Sequence, residues 1–114
     1  MTLTPFERAL VAHLVADWLL QTNWMVVNKT NLRHPAGWVH AGIHGVCLGV
    51  ALGWLGGVVL GAVHLLLDTR RPVEWWMRVV KKDEESAEAR VIALVVDQVI
   101  HLTTIAAWVV MVGG

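Results

Sequence analysis

The feature that most constrains this fold is a stretch of thirty residues, Trp38 to Leu67, that contains no Lys, Arg, Asp or Glu. Apolar stretches flank it on both sides: Phe6 to Val27, and Val91 to Val112, where Asp97 is the single formal charge. A helix needs about 20 apolar residues to cross the ~30 Å hydrocarbon core of a bilayer. The two flanking stretches therefore predict one membrane span each.

The central stretch is too long for one span and short for two. At its middle, the run Gly53-Trp54-Leu55-Gly56-Gly57 is typical of a tight helical hairpin. We therefore predict an all-α chain: a four-helix antiparallel integral membrane bundle with a short central helical hairpin and one interfacial amphipathic segment. Residues 1–114 form a single membrane domain in this prediction. Its helices cover about 6–27, 38–53, 57–69 and 88–112, and its cytoplasmic interfacial segment covers 73–87.

The basic residues predict how this bundle sits in a membrane, because cytoplasmic loops carry an excess of Lys and Arg. The loops at 28–37 and 70–90 hold eight of the nine bases, whereas the opposite side holds Arg8. Both loops are therefore predicted to be cytoplasmic and both termini to lie outside. The interfacial segment mixes bases with Trp75 and Trp76, which predicts that it lies flat on the membrane surface.

Composition excludes several other classes of protein. Nine bases balance nine acids, so no nucleic-acid partner is predicted. A hydrophobic content of 56% excludes a disordered chain. The single cysteine, Cys47, excludes an internal disulfide framework and a Cys-based zinc knuckle. The polar residues inside the apolar stretches are therefore the candidates for a functional site.

Four pairs of ionisable side chains, three of His with Asp and one of His with His, recur at a spacing of four residues, one pair in each predicted helix. This spacing places both members of a pair on one face of a helix. Ionisable groups are costly inside a membrane and normally face the bundle interior, where they pair. The eight side chains therefore converge most simply on a metal site near the cytoplasmic face. The predicted ligands are His13, Asp17, His40, His44, His64, Asp68, Asp97 and His101.

Imidazole and carboxylate ligands together suit zinc, manganese, iron or nickel. Eight groups could hold two divalent ions, or four or five of them could hold one ion while the others orient these ligands. Gln21 and Gln98 are candidates for the same supporting role, although ordinary helix–helix hydrogen bonding explains them equally well. A haem is disfavoured, because three carboxylates would lie against its edge.

The predicted function is a metal-dependent hydrolase that acts on a membrane lipid or a lipid-linked phosphate. A coordinated water with its pKa lowered towards ~7 would be the nucleophile. Asp17 or Asp97, whichever is not a ligand, would be the catalytic base. Basic side chains next to the pairs could hold the substrate phosphate, although most of them are explained as membrane anchors. These bases are Lys29, Arg33, Arg70 and Arg71.

Other functions stay open at this point. A structural or accessory membrane subunit that binds metal without catalysis would have a closed shell of protein ligands. An ion or proton transporter would need a polar path to the outside face, but residues 46–60 and 104–114 carry almost nothing polar beyond Thr104. His–Asp hydrogen bonds with a purely structural role are a further alternative. The many small residues are compatible with a homo-oligomer.

The same residues carry a resemblance to a known family. The motifs are HLVADWLLQTNWMVVNK from His13, HAGIHG from His40, HLLLD from His64 and DQVIH from Asp97. Over nearly its whole length the chain resembles small bacterial and phage membrane proteins catalogued as domain of unknown function 3307. More loosely, it is similar to membrane-bound metal-dependent hydrolases. The resemblance implies a multi-pass protein of the bacterial inner (cytoplasmic) membrane that shares this polar set, and it supplies no reaction.

Overall fold

The structure is a computed structural model that describes residues 2–81 and 86–112. Within these parts the chain is all-α, with six α-helices and no strand. The helices are α1 (Pro5–Leu14), α2 (Asn23–Asn28), α3 (Pro35–Leu52), α4 (Trp54–Leu67), α5 (Arg71–Trp76) and α6 (Ala87–Val112). Helices α1 and α5 each continue into one π-helical turn, Val15–Leu19 and Met77–Lys81 respectively. Residues 82–85 of the predicted interfacial segment lie outside the described residues.

The helix predicted over 6–27 is interrupted in the structure. Its first part begins with a capping box, in which Thr4 Oγ1 accepts a hydrogen bond from Glu7 N and Glu7 Oε1 accepts one from Thr4 N. The π-helical turn ends at Leu19, and α2 starts anew at Asn23. Thr22 caps this second start, because its hydroxyl accepts a hydrogen bond from Met25 N at 3.4 Å. A side-chain cap of this kind competes with a continuous helix.

A single glycine separates α3 from α4. Gly53 has a φ of +97°, a conformation that glycine adopts without steric cost, so the turn is shorter than the predicted 53–57. Beyond the turn the two helices pack closely through glycines. A Cβ built on Gly57 would lie 2.5 Å from the carbonyl oxygen of Gly45. This close approach allows the rings of His44 and His64 to stack at 3.5 Å between centroids.

One end of the bundle interior is apolar. We call these four buried side chains the apolar layer; each is at most 4% exposed. Each also lies four residues, or about one helical turn, from a histidine in its own helix. The members of the layer are Ala9 in α1, Leu48 in α3, Leu60 in α4 and Ile105 in α6.

The outer surface is also rich in apolar side chains. Val50 is 85% exposed, Val110 is 79% exposed and Trp54 is 78% exposed. Two of the described helices, α3 and α6, are long and apolar enough to cross a membrane by length and composition, and α4 is apolar but shorter. Apolar side chains therefore face outward along the bundle, while eight His and Asp side chains are buried inside it.

Candidate metal centre

The four predicted His/Asp pairs lie together in the bundle interior. We call these eight side chains the polar cluster; none is more than 7% exposed. They project from α1 and its π-helical turn, from α3, from α4 and its last cap residue Asp68, and from α6. The sixth histidine, His34, is not part of the cluster. Its Nδ1 instead accepts a hydrogen bond from Ala36 N and caps α3.

Asp17 is the centre of the first half of the polar cluster. Its Oδ1 lies 3.0 Å from His44 Nε2, which donates a hydrogen bond to it, and 3.2 Å from His40 Nε2. His64 lies close to the same group. Asp17, His40, His44 and His64 each offer one ligand atom, and these atoms all lie within 4.8 Å of one another. Such a spacing fits the shell of a single metal ion.

Asp68 is the centre of the second half. Its Oδ2 lies 2.8 Å from His64 Nε2 and 3.3 Å from His40 Nε2, and its Oδ1 lies 3.3 Å from His101 Nε2. Ligand atoms of His64, Asp68 and His101 form a second set within 4.8 Å of one another. The two halves are therefore adjacent, and His40 and His64 lie between the carboxylates.

Several of these nitrogens are close to a carboxylate but not aligned with it. Among the described residues, Nε2 of His40, of His64 and of His101 has no hydrogen-bond partner, although each lies 2.8–3.3 Å from an oxygen of Asp68. Direction decides here, because a hydrogen bond weakens steeply when the donor points away from the acceptor. The ligand atoms of a metal ion have this geometry, because they point at the ion and not at one another. A buried polar atom without a partner costs about 1–3 kcal/mol.

The proton position on His101 can be assigned from its contacts. Its Nδ1 lies 2.7 Å from the backbone carbonyl oxygen of Asp97. A carbonyl oxygen only accepts, so Nδ1 donates, and in the neutral ring Nε2 then carries a lone pair. In that neutral form Nε2 and Asp68 Oδ1, 3.3 Å apart, are both acceptors, and a proton or a metal ion on Nε2 would remove their repulsion. Ligating histidines typically donate their other ring nitrogen to a carbonyl or carboxylate in this way.

Gln98 holds His13 beside the two sets. The carboxylate of Asp17 can only accept, and its Oδ2 lies 3.2 Å from Gln98 Nε2, so the amide nitrogen faces Asp17. The amide oxygen therefore faces His13 Nε2, at 3.0 Å, and this nitrogen must donate. His13, a predicted ligand, thus lies next to Asp17 with its Nε2 already in use. Gln21 Nε2 bonds the backbone oxygen of Asp17 at 3.0 Å.

Asp97, another predicted ligand and one of the two candidate bases, belongs to neither set of ligand atoms. Its Oδ1 lies 3.6 Å from His101 Nδ1 and is buried without a hydrogen-bond partner among the described residues. Asp17, the other candidate base, does belong to a set. The structure thus separates two carboxylates that the sequence left equivalent.

Of the four bases predicted to hold phosphate, the structure brings Lys29 to the polar cluster. Its Nζ lies 3.9 Å from Asp68 Oδ1, and its side chain is 16% exposed. Gly37 allows the end of α2 to approach α3 closely, since a Cβ there would lie 3.0 Å from the carbonyl oxygen of Lys29. Arg33 and Arg71 are exposed. The Lys29–Asp68 contact had no local sequence signal, because it joins residues from distant parts of the chain.

A small cavity lies between the polar cluster and the apolar layer. Its volume is about 10 Å³, and His13, His64 and His101 line one side of it. Thr104 and three side chains of the apolar layer line the other side. A space of this size is close to the minimum that holds one water molecule.

Comparisons with known proteins agree with the predicted family. No curated protein and no solved structure matches the chain. A family model described as "Protein of unknown function (DUF3307)" matches residues 6–113. This match confirms the resemblance inferred from the four motifs, while the looser similarity to metal-dependent hydrolases stays a prediction. Every residue of the polar cluster lies within the match. The match covers nearly the full length, so the chain belongs to the DUF3307 family.

Proposed function

We propose that this chain is a multi-pass protein of the bacterial inner membrane that binds divalent metal at the polar cluster and hydrolyses the phosphate ester of a membrane lipid or lipid-linked phosphate. One observation carries the metal site. The Nε2 atoms of His40, His64 and His101 converge on buried carboxylate oxygens at 2.8–3.3 Å without hydrogen-bond alignment. Cations bound within the two sets of ligand atoms would give each of these atoms a partner.

The membrane location is supported by where apolar and ionisable side chains lie. Exposed valines and tryptophans cover the outside of the bundle, whereas eight buried ionisable groups occupy its interior. Helices α3 and α6 are long enough to cross a bilayer. The two remaining segments of the proposed four-helix bundle are short, since residues 5–19 extend about 22 Å and α4 about 21 Å. Spans of this length require a locally thinner bilayer, or flanking side chains that reach to the interface.

The donor set fits the proposed ions. Imidazole nitrogen with carboxylate oxygen is the ligand chemistry of zinc, manganese, iron and nickel. When bound, such an ion polarises a phosphoryl oxygen and lowers the pKa of a coordinated water to about 7. Asp17, His40, His44 and His64 could hold it, and so could His64, Asp68 and His101.

Two residues next to these ligands have roles in the proposed reaction. Lys29, partly exposed and 3.9 Å from Asp68, would bind the phosphate group. Asp97 would act as the base, since it belongs to neither ligand set and its Oδ1 has no hydrogen-bond partner among the described residues. The water oxygen bonds to phosphorus while the phosphorus–oxygen bond to the lipid breaks. Asp97 takes a proton from the water and returns it to the leaving oxygen.

A non-catalytic metal-binding subunit is the second candidate. The deep burial of the polar cluster favours it, since no member is more than 7% exposed and the cavity beside it holds about 10 Å³. A closed shell of protein ligands is typical of structural metal sites. An ion path has less support, because the apolar layer packs across the bundle on one side of the cluster.

The metal content of the purified protein tests the site. We would compare the wild type in detergent with the double variant His44→Ala/Asp68→Asn by mass spectrometry of the metals. His34→Ala is the matched control, since it removes the one histidine outside the cluster. We expect metal in the wild type and in the control, and its loss from the double variant. Trace metal alone in the wild type and the double variant would overturn the metal site.

Phosphate release tests the reaction separately. The substrate would be phosphatidic acid in mixed micelles. A water-soluble phosphomonoester would be assayed in parallel for comparison with the lipid. We expect release from the lipid that stops with a chelator, returns with added metal and is lost in Asp97→Asn. The control is Glu88→Gln, an exposed acid on the same helix. A metal-loaded wild type that releases no phosphate from the lipid contradicts the hydrolase and favours the non-catalytic subunit.

A further inference from the structure

We infer that the polar cluster holds two metal ions, each on its own set of one Asp and two His. This inference rests on the proposed metal site and names its stoichiometry and arrangement. The first set, Asp17 with His40 and His44, is called the first triad. The second set, Asp68 with His64 and His101, is called the second triad.

Distances within the two triads match those between ligands of one ion. Ligand atoms bound to a single ion at ~2.1 Å lie about 3.0–3.5 Å apart. In the first triad, Asp17 Oδ1 lies 3.0 Å from His44 Nε2 and 3.2 Å from His40 Nε2, and a bound ion would take the place of the proton that His44 Nε2 donates to this oxygen. In the second triad, the Asp68 oxygens lie 2.8 Å and 3.3 Å from the Nε2 atoms of His64 and His101. Each triad therefore has the spacing of a partial shell.

One ion does not account for both carboxylates. The compact groups of ligand atoms among the described residues contain either Asp17 or Asp68. Yet the triads adjoin, because His40 Nε2 lies 3.3 Å from Asp68 Oδ2 and the rings of His44 and His64 stack at 3.5 Å. Adjacent shells of this kind suit the ~3.5–4 Å spacing of two-metal hydrolytic sites.

Charge balance connects the second ion to an anionic substrate. The cluster contains three buried carboxylates, Asp17, Asp68 and Asp97, and Lys29 lies against one of them. A first divalent ion neutralises the two carboxylates that remain. A second ion leaves an excess of two positive charges, which a phosphate dianion balances. We therefore expect inorganic phosphate to tighten the binding of the second ion.

Three protein ligands per ion also leave room for chemistry. A zinc ion prefers four ligands, and manganese or iron up to six, so each triad leaves at least one position for water or for a phosphate oxygen. Two ions held by these triads would supply positive charge for both the attacking and the leaving oxygen of a phosphate ester. The two triads would thus leave coordination positions for both the water and the phosphate in the proposed hydrolysis.

The stoichiometry can be measured on the full-length protein in detergent with inorganic phosphate and manganese as probes. We expect two ions per chain in the wild type and one in each of Asp17→Asn and Asp68→Asn. His34→Ala is the control, a histidine outside the polar cluster, and should keep two ions. Electron paramagnetic resonance on the wild type is an independent readout that needs no variant. We expect an exchange-coupled manganese signal, and isolated-ion signals in the single variants.

Three other results would contradict the proposal, either in the number of ions or in the metal site itself. One ion per chain in the wild type, with an isolated-ion signal, overturns the two-ion arrangement and leaves the metal site standing. The loss of all metal in either single variant, with a folded protein by circular dichroism, also overturns it. No bound manganese in the wild type overturns the metal site itself.

Discussion

The polar cluster and the apolar layer are neighbouring levels of the same helix faces, about one turn apart. Ala9 precedes His13 by four residues and Leu60 precedes His64, whereas Leu48 follows His44 and Ile105 follows His101. This alternation of before and after is what helices of opposite direction require when their like residues meet at one level. The two levels therefore have the same framework and differ in chemistry alone.

This difference concerns what each level needs in order to be stable. The apolar layer is complete in itself, since its side chains contact one another and the partly buried Phe6 and Trp108. The polar cluster is not, because it keeps buried nitrogens without aligned partners among the described residues. Each such atom costs about 1–3 kcal/mol while it has no partner. We therefore predict that the apolar layer stabilises the fold unaided and that the polar cluster does so through a bound metal.

Metal removal is expected to have the largest effect. A chelator should lower the free energy of unfolding of the wild type by about 4 kcal/mol if the free metal was near a thousand times its Kd. The same chelator should leave the Asp17→Asn/Asp68→Asn variant unchanged, because that variant has lost both triad carboxylates. Thermal unfolding in detergent, with and without chelator, checks both. Equal shifts in the two proteins would show that the polar cluster is stable without metal.

A substitution that opens a cavity in the apolar layer should lower stability without changing metal binding. Leu48→Ala removes a side chain that is 2% exposed and should cost about 3 kcal/mol of unfolding free energy. Its metal content should stay at the wild-type value. His44→Ala, one turn away, is the matched variant and should lose metal. Loss of metal from Leu48→Ala with the fold intact would mean that the two levels are not separable.

Removing the support of a ligand should have a smaller effect. Gln98 donates to Asp17 Oδ2 at 3.2 Å, so Gln98→Ala should weaken metal binding about 10–100-fold. Gln21→Ala is the control, since Gln21 bonds the backbone oxygen of Asp17 and not its carboxylate. Metal titration with a competing chelator measures both. Equal losses in the two variants would contradict the role of the carboxylate contact.

The smallest effect is expected at Lys29. Lys29→Met removes a positive charge 3.9 Å from Asp68, so the affinity for metal should rise a few-fold. Phosphate release from the lipid should fall at the same time, because the phosphate loses a cationic partner. Arg71→Gln, an exposed base, should change neither quantity. Lower metal affinity in Lys29→Met would mean that Lys29 supports the cluster and does not compete with the metal.

The residues of the polar cluster were predictable from sequence because their signal is local. A spacing of four places two side chains on one helix face, and the cost of burying them implies that they meet. All eight do lie together. The all-α class was predictable for the same reason, from long apolar stretches without strand signals.

The finer arrangement was not predictable, because it depends on contacts between distant residues. His13 stands beside the ligand sets since Gln98, eighty-five residues away, engages its Nε2. Lys29 reaches Asp68 through the packing of α2 against α3. The interruption after Leu19 arises from the competition of the Thr22 cap with a helix that an apolar pattern favours. The apolar layer also has a local sequence signal, since each of its members lies one helical turn from a histidine of a pair.

Anomalous X-ray scattering at the absorption edge of the bound metal would locate the ion itself. We predict anomalous density inside the polar cluster, about 2.0–2.2 Å from carboxylate oxygens and imidazole nitrogens. These ligands should include Asp17 and Asp68. A metal-free cluster in crystals grown with excess metal, with the histidines closed into hydrogen bonds to the carboxylates, would contradict it.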